Sequence, residues 1–158
     1  MSFEPLIIQK WIFDTLVADL TLQTLLAGNR APNYQRGIYS EIAPEKDPVS
    51  GVVPQLPYVV FARSGSDITD EFALCGSRYQ TIPVYRITVW DNSNGTISYQ
   101  PLYNIINQVD SLLSQQTITV SGVTFISQRF DTDQPYEIAV DGRVDYGLTL
   151  LYRFNTII

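Results

Sequence analysis

Apolar positions recur every three to four residues in two stretches of this chain, and each stretch predicts an amphipathic helix. The first spans residues 3–27, where Asp19 and Thr21 are candidate break points, and a Gly-Asn stop signal follows it. Its apolar stripe is expected to comprise Leu6, Ile7, Trp11, Val17 and Leu20, widened by Ile8, Ile12 and Leu16. The second spans residues 98–114, with a stripe of Tyr99, Leu102, Tyr103, Ile106, Val109 and Leu113.

β-Strands are predicted where apolar residues alternate with polar ones or form short continuous runs. Residues 58–63 are apolar on both faces, which predicts a central strand. Residues 79–90 alternate and contain Pro83, which marks a bulge or an edge position because proline cannot donate to a ladder. In the last third, the turn pairs Ser121-Gly122 and Asp141-Gly142 predict two hairpins.

Three further features are candidates for contacts with other molecules. Residues 29–56 form a Pro-rich loop with at most a short strand near residues 37–40, and residues 64–78 form a second, acidic loop. The final strand, residues 143–154, alternates strictly, so one face lies on the core and the other on water, a lumen or a neighbour. The candidate interface residues drawn from these features are Asp47, Val49, Val52, Asp67, Ile68, Asp70, Glu71, Phe72, Arg143, Asp145 and Arg153.

These elements indicate one α+β domain over residues 1–158, with a mainly antiparallel sheet packed against two helices and hairpins in the C-terminal third. Charged residues make up only 16%, against about 25% in a typical soluble domain, so the surface must be covered either by Ser, Thr, Asn, Gln and Tyr or by other subunits. The net charge of −6 argues against a protein that grips free nucleic acid. No stretch approaches the roughly 20 apolar residues of a membrane span.

The sequence offers little material for catalysis. It has no histidine, which excludes Ser/His/Asp and Cys/His systems and histidine metal sites. The single cysteine, Cys75, is therefore expected to be an ordinary loop residue, and Trp90 to plug the core rather than form a ligand platform. Acidic clusters near Asp67 and at Asp131 and Asp133 lack the EF-hand spacing. We expect no enzymatic activity, no cofactor and no metal.

The order of these landmarks resembles the tail terminator proteins of long-tailed bacteriophages. An opening helix and a Pro-rich loop lead to the strand that begins Pro57-Tyr58-Val59. A polar loop follows, and after it comes a strand that ends at Trp90. A helix from Ser98 and the closing strands complete the order. The resemblance covers nearly the whole chain. The hairpin around Ser121-Gly122 is longer than in that pattern, which leaves a neighbouring neck or tail-completion role open.

The resemblance implies a non-enzymatic virion protein that is assembled in the host cytoplasm and forms a hexameric ring at the head-proximal end of the tail tube. The partners it implies are the tail tube protein, a neck or head–tail connector protein and, in a contractile tail, the sheath. DNA would pass through the lumen without specific binding. Two alternatives remain: a head–tail connector or tail-completion ring, and a monomeric ligand-binding or enzymatic α+β domain with a deep pocket of converging polar groups.

Overall fold

The computed structural model describes residues 4–27, 37–48, 51–69, 80–92, 99–133, 136–140 and 143–157. The helices are α1 (Glu4–Ala18), α2 (Leu20–Ala27) and α3 (Gln100–Leu113). The strands are β1 (Ile38–Ser40), β2 (Tyr58–Thr69), β3 (Gln80–Asn92), β4 (Thr117–Val120), β5 (Val123–Thr132), β6 (Tyr136–Val140) and β7 (Arg143–Ile157).

The seven strands form one sheet in the order β1-β2-β3-β7-β5-β4, and β6 also pairs with β7. β1 is parallel to β2, and the other pairs are antiparallel. β5 and β6 lie along successive parts of β7, so together they act as one interrupted strand. A register shift between Arg129 and Asp131 marks a bulge in it. The predicted α+β architecture with a mainly antiparallel sheet is confirmed.

The helices cover one face of the sheet, and the core lies between them. α3 contributes its buried stripe, and β3 and β7 contribute inward-pointing aromatic and aliphatic side chains such as Tyr85, Ile87, Leu150, Tyr152 and Phe154. Each such apolar side chain stabilises the fold by roughly 1.5–3 kcal/mol when it is fully buried. None of the described helices covers the opposite face of the sheet, and that face carries the candidate site.

The predicted first helix is divided at Asp19, as one of the two candidate break points indicated. The carboxylate of Asp19 accepts a hydrogen bond of 2.6 Å from the backbone N–H of Leu22, and this bond caps the start of α2. The predicted stripe was wrong at Leu6 and Leu20, both of which are exposed, Leu20 by 82%. The buried positions of α1 are Ile8, Ile12 and Leu16, because a four-residue spacing keeps one face of a helix on the sheet.

The second predicted helix and both hairpins are confirmed. α3 lies within the predicted range, although Tyr103 is exposed rather than part of the stripe. Ser121 and Gly122 both have positive φ, 52° and 80°, as the tight turn between β4 and β5 requires. Val140 pairs with Arg143, which closes the second hairpin over two residues that lie outside the described part of the chain.

The prediction of a loop over residues 64–78 was wrong at its start, because β2 continues to Thr69. Residues 65–69 pair with residues 80–84 of β3, beyond a register shift next to Arg63. β1 contacts β2 only near its beginning, and the pairing of β3 with β7 ends at Val84. Over residues 65–69 and 80–83 the two strands pair with each other and with no other described strand, and we call this part the β2–β3 arm. Ile82 in it is buried. Pro83 lies just past the last β7 pair, which confirms its edge position.

Candidate functional site

The face of the sheet that points away from the helices carries an open groove of about 620 Å³. Successive strand residues point to opposite faces, so the neighbours of buried core residues on β2, β3 and β7 line its floor. The segment around Ile42 forms one wall, and Asp133 and Tyr136 form the other. The floor and walls come from five separate parts of the chain, so only the folded topology creates this groove.

One end of the groove is aromatic. Trp90 and Tyr136 pack edge to face, with ring centroids 5.2 Å apart and an interplanar angle of 90°. Gly147 lies between them in the ladder, paired with Trp90 on β3 and with Tyr136 on β6. A Cβ atom at Gly147 would lie 3.2 Å from both rings, so its missing side chain makes room for the pair. The expectation that Trp90 plugs the core was wrong, since it points to the outer face.

The middle of the groove floor holds a polar pair of side chains. Thr88 and Thr149 are directly opposite each other on β3 and β7, and their hydroxyl oxygens are 2.8 Å apart. Both residues are buried. One of the two hydroxyls donates to the other, and cross-strand threonine pairs of this kind stabilise a sheet. The sequence analysis expected this side of β7 to face water, a lumen or a neighbour, and Thr149 lies on the floor of the open groove.

The groove also carries charge. Arg86 is exposed and lies between Ala62 of β2 and Leu151 of β7. The two ion pairs within the described residues join Lys10 to Asp14 and Arg129 to Asp110, so neither involves Arg86. The carboxylates of Glu41 and Asp133 line the same groove and are exposed. The groove therefore presents one cation and two anions beside an aromatic end.

The loop between β1 and β2 is organised around Asp47. Its buried carboxylate accepts a hydrogen bond of 2.7 Å from the hydroxyl of Tyr39. Its backbone N–H donates to Val52, and its carbonyl accepts from Gly51. This turn leaves Val52 and Val53 exposed, Val53 by 70%. Of the candidate interface residues here, Asp47 lies inside and Val52 at the surface.

The remaining candidates occupy separate places. Asp67 and Ile68 pair with Ile82 and Thr81 in the β2–β3 arm. On β7, Arg143 begins the strand and Asp145 is half-buried. The guanidinium of Arg153 lies 4.5 Å from the centre of the Phe130 ring, a cation–π contact at the β5 bulge. Val49, Asp70, Glu71 and Phe72 lie outside the described residues.

The sequence analysis singled out Arg143 and Asp145 on the β6–β7 hairpin as candidate contact residues, but not its apolar side chains, several of which are exposed. Ile138 is 45% exposed, and Tyr136 and Val144 are also exposed. Val144 was expected on the core face, but the helices do not cover the start of β7. Among the described strands, β6 pairs only with β7. An edge strand with exposed apolar residues is a typical site for contact with another chain.

Strongly shifted tyrosines lie in the core rather than in the groove. Burial raises the pKa of Tyr85 to about 12. Burial, and then the hydrogen bond of 2.7 Å that its hydroxyl donates to Asp110, raises the pKa of Tyr152. A hydrogen bond to Glu137 is the main cause of the raised pKa of Tyr99. These hydroxyls stay protonated at neutral pH, and those of Tyr152 and Tyr99 donate hydrogen bonds to Asp110 and Glu137.

The described residues contain no group of three or more Cys, Asp or Glu side chains placed to hold a metal ion. No described helix is long and apolar enough to span a membrane. The side chains that line the groove offer contact with apolar groups at its aromatic end and ion pairing through Arg86, Glu41 and Asp133. Both suit a protein segment.

Comparison with known proteins identifies a shared fold. No protein-family model matches the sequence, and no curated protein matches it. A chain of a solved structure titled "Virion of native gene transfer agent (GTA) particle" aligns over 90% of this chain and 90% of its own, with 15% identity and a TM-score of 0.56. A second solved structure, with 14% identity, coverage of 82% and 84%, and a TM-score of 0.48, is too distant to carry weight.

Proposed function

We propose that this protein is a structural virion protein that caps the head-proximal end of a phage tail tube as a ring. In that position it ends tube polymerisation and provides the joining surface for the neck. The observation that carries the proposal is the fold shared with a chain of a gene transfer agent virion over 90% of both chains. The order of landmarks in the sequence supports the more specific role, because it resembles the tail terminator pattern along nearly the whole chain.

The surface supports an assembled state. A closed ring needs a heterologous interface, in which one face of a subunit meets a different face of the next. This chain has several exposed apolar features that suit such contacts. They are Val52 and Val53 on the loop between β1 and β2, and Ile138 and Val144 on the β6–β7 hairpin. The proposed number of six subunits comes from the family resemblance.

The proposed partners are the tail tube protein on one side and a neck or head–tail connector protein on the other, with the sheath added in a contractile tail. DNA passes through the ring without specific binding. The net charge of −6 supports this, because an acidic lumen repels phosphates. Duplex DNA should therefore not bind the assembled ring at about 0.15 M salt, where the Debye length is about 8 Å. Retention of DNA in a filter or mobility assay would argue against an acidic lumen.

The proposed role is non-enzymatic. A ligand-binding or enzymatic domain would present a deep pocket with converging polar groups. In the groove, the hydroxyls of Thr88 and Thr149 bond to each other. Arg86, Glu41 and Asp133 remain as the charged groups of an open surface. This distribution favours contact with another chain over binding of a small molecule.

A neck or tail-completion ring with the same fold is the second candidate. The specific feature that favours it is the β4–β5 hairpin, which is longer than in the terminator pattern. Such a ring would bind the connector protein and leave growing tubes unaffected. Binding assays against separate tube and connector proteins distinguish the two roles.

The direct test is assembly of the candidate tail tube protein in the presence and absence of this protein. Tube lengths are then measured by negative-stain microscopy. The proposal predicts that added protein stops elongation and gives shorter tubes with a narrow length distribution. As a matched pair, Val53→Asp should weaken capping if the exposed loop contacts the tube or a neighbour, whereas Lys46→Ala at another exposed position of the same loop should not. Unchanged tube growth with the wild-type protein would refute the capping role.

A further inference from the structure

The groove is lined by groups that favour a positively charged occupant at one of its ends. We propose that the aromatic end of the groove binds a lysine or arginine side chain carried by an extended segment of a different virion protein. This proposal rests on the virion role proposed above and names the chemistry of the partner segment. It therefore states what sequence the partner has to present.

Three aromatic side chains form a row across the groove. Tyr58 pairs with Trp90 on the neighbouring strand, and Trp90 contacts Tyr136 across Gly147. All three line the groove; Tyr58 and Trp90 are half-buried and Tyr136 is exposed. The faces of aromatic rings attract cations, and tryptophan does so most strongly. The row therefore offers a cation a contact that does not depend on a carboxylate.

Two exposed carboxylates flank this row. The backbone N–H of Asp133 donates to Thr149, which lies two residues from Gly147 on β7, so Asp133 is about 7 Å along the strand from the aromatic row. Glu41 lies on the opposite wall and accepts a hydrogen bond of 3.4 Å from Gln9. Neither carboxylate belongs to the two ion pairs found within the described residues. A basic side chain that packs on the aromatic row can therefore also reach Asp133.

Arg86 gives the groove a direction. It lies four residues before Trp90 on β3, about 13 Å from the aromatic row, and it lines the same groove. Its guanidinium repels a cation at that end and attracts a carboxylate. In an extended segment, side chains four positions apart point the same way and are also about 13 Å apart. The expected occupant therefore carries a basic residue and, four positions away, an acidic one.

The charge of this chain favours a different protein as the source of the segment. The chain has 16 acidic and 10 basic residues, which gives a net charge of −6. Among the described cations, Lys10 and Arg129 are held in ion pairs, and Arg153 packs on the ring of Phe130. Like charges that meet across an interface are unfavourable. The partner is therefore expected to be more basic than this chain at the surface that enters the groove.

Peptide binding tests the proposal. The probes are two short serine–threonine peptides in which a glutamate lies four positions before or after a lysine, one for each chain direction. Binding is followed by the fluorescence of Trp90 in Trp11→Phe, which retains no other tryptophan. Matched peptides carry acetyl-lysine, which removes the charge of the lysine and keeps its chain. At low salt, one of the lysine peptides should bind about five- to twenty-fold more tightly than its acetylated counterpart.

Matched variants locate the bound cation. Asp133→Asn should weaken binding of the lysine peptide about two- to five-fold and leave the acetyl-lysine peptide unaffected. Glu45→Gln is the control, because it removes the same charge at an exposed position that does not line the groove. It should leave the binding of both peptides unchanged.

A second pair of variants locates the acidic residue of the peptide. Replacing its glutamate with glutamine should weaken binding to the wild type about two- to five-fold and should have no effect on binding to Arg86→Gln. Arg63→Gln is the control. Arg63 is exposed and pairs with the buried core residue Tyr85, so it lies on the other face of the sheet. It should keep the preference for glutamate.

Three results would overturn the proposal. They are equal binding of the lysine and acetyl-lysine peptides, equal losses in Asp133→Asn and Glu45→Gln, and no saturable binding up to about 10 mM peptide. The outcomes also separate this proposal from the capping role. Capped tubes without lysine-dependent binding leave the terminator role intact and refute the groove proposal. Lysine-dependent binding with uncapped tubes supports the groove as a docking surface and refutes the capping role.

Discussion

Trp90 and Tyr136 meet edge to face across Gly147, with their ring centroids 5.2 Å apart. This contact joins β3 to β6 over the intervening strand β7. It fixes the β6–β7 hairpin against the body of the sheet and forms the aromatic end of the groove. Both the exposed hairpin and the groove therefore depend on the absence of a side chain at position 147.

Gly147→Ala should destabilise the protein by about 1–3 kcal/mol, because the added methyl group would crowd both rings. In a Trp11→Phe background, the near-ultraviolet circular dichroism of Trp90 should also change. Gly51→Ala is the control: it imposes a strained φ of +72° but has open space around its Cβ. It should lower stability without altering the Trp90 signal. An unchanged spectrum and melting temperature for Gly147→Ala would show that the packing is looser than described.

The sequence predicted the elements that depend on local pattern. α3 follows from its helical spacing, and the turn at Ser121 and Gly122 follows from residues that accept positive φ. The continuation of β2 to Thr69 was missed because residues 64–69 are mostly polar in sequence, and their pairing with β3 is a contact between distant parts of the chain. The outward orientation of Trp90 was missed as well. It depends on which face of the sheet the helices cover, and residue spacing alone does not fix that.

The groove is likewise a product of long-range register. Thr88 and Thr149 are 61 positions apart in the chain and become neighbours only when β3 pairs with β7. Composition and loop length led the sequence interpretation to the acidic loop and the Pro-rich loop. The Pro-rich loop adjoins the groove through Ile42, whereas Ser64, which also lines it, belongs to β2. The aromatic end of the groove forms only when Gly147 on β7 pairs with Tyr136 on β6, and no local sequence motif predicts that pairing.

Asp110 should be important for attaching α3 to the sheet. It accepts hydrogen bonds from the hydroxyl of Tyr152, at 2.7 Å, and from Arg129, at 2.9 Å. Asp110→Ala would leave a buried hydroxyl without its acceptor, and we expect a loss of about 1–3 kcal/mol in chemical denaturation. Arg129→Gln should cost less than about 1 kcal/mol, since that ion pair is partly exposed. Equal effects of the two substitutions would contradict this ranking.

Stability should fall at alkaline pH. Tyr85 is buried, and its pKa is raised from 10.0 to about 12 in the folded protein. A raised folded pKa contributes stability that is fully present below pH 10 and is lost as pH rises toward 12. The loss should approach roughly 2–3 kcal/mol. The unfolding free energy of the wild type minus that of Tyr85→Phe should therefore fall between pH 8 and pH 11.5. A value that stays constant with pH would disprove this assignment.

The loop between β1 and β2 should lose its conformation when Asp47 is replaced. Asp47→Ala removes the acceptor of the buried Tyr39 hydroxyl, which should cost about 1–3 kcal/mol. Limited proteolysis should then cut residues 41–57 faster than in the wild type. Lys46→Ala, at an exposed neighbouring position, should leave the cleavage rate unchanged. Wild-type protease resistance in Asp47→Ala would mean that Asp47 does not organise this loop.

The central claim is that this protein forms a ring at one end of a tail tube. Cryo-electron microscopy of tubes assembled with the purified protein measures this directly, because it shows both the position and the number of subunits. The account predicts a single closed ring, with six copies of this fold, at one end of each tube and none along its length. Bare tube ends, or protein bound along the wall, would contradict it.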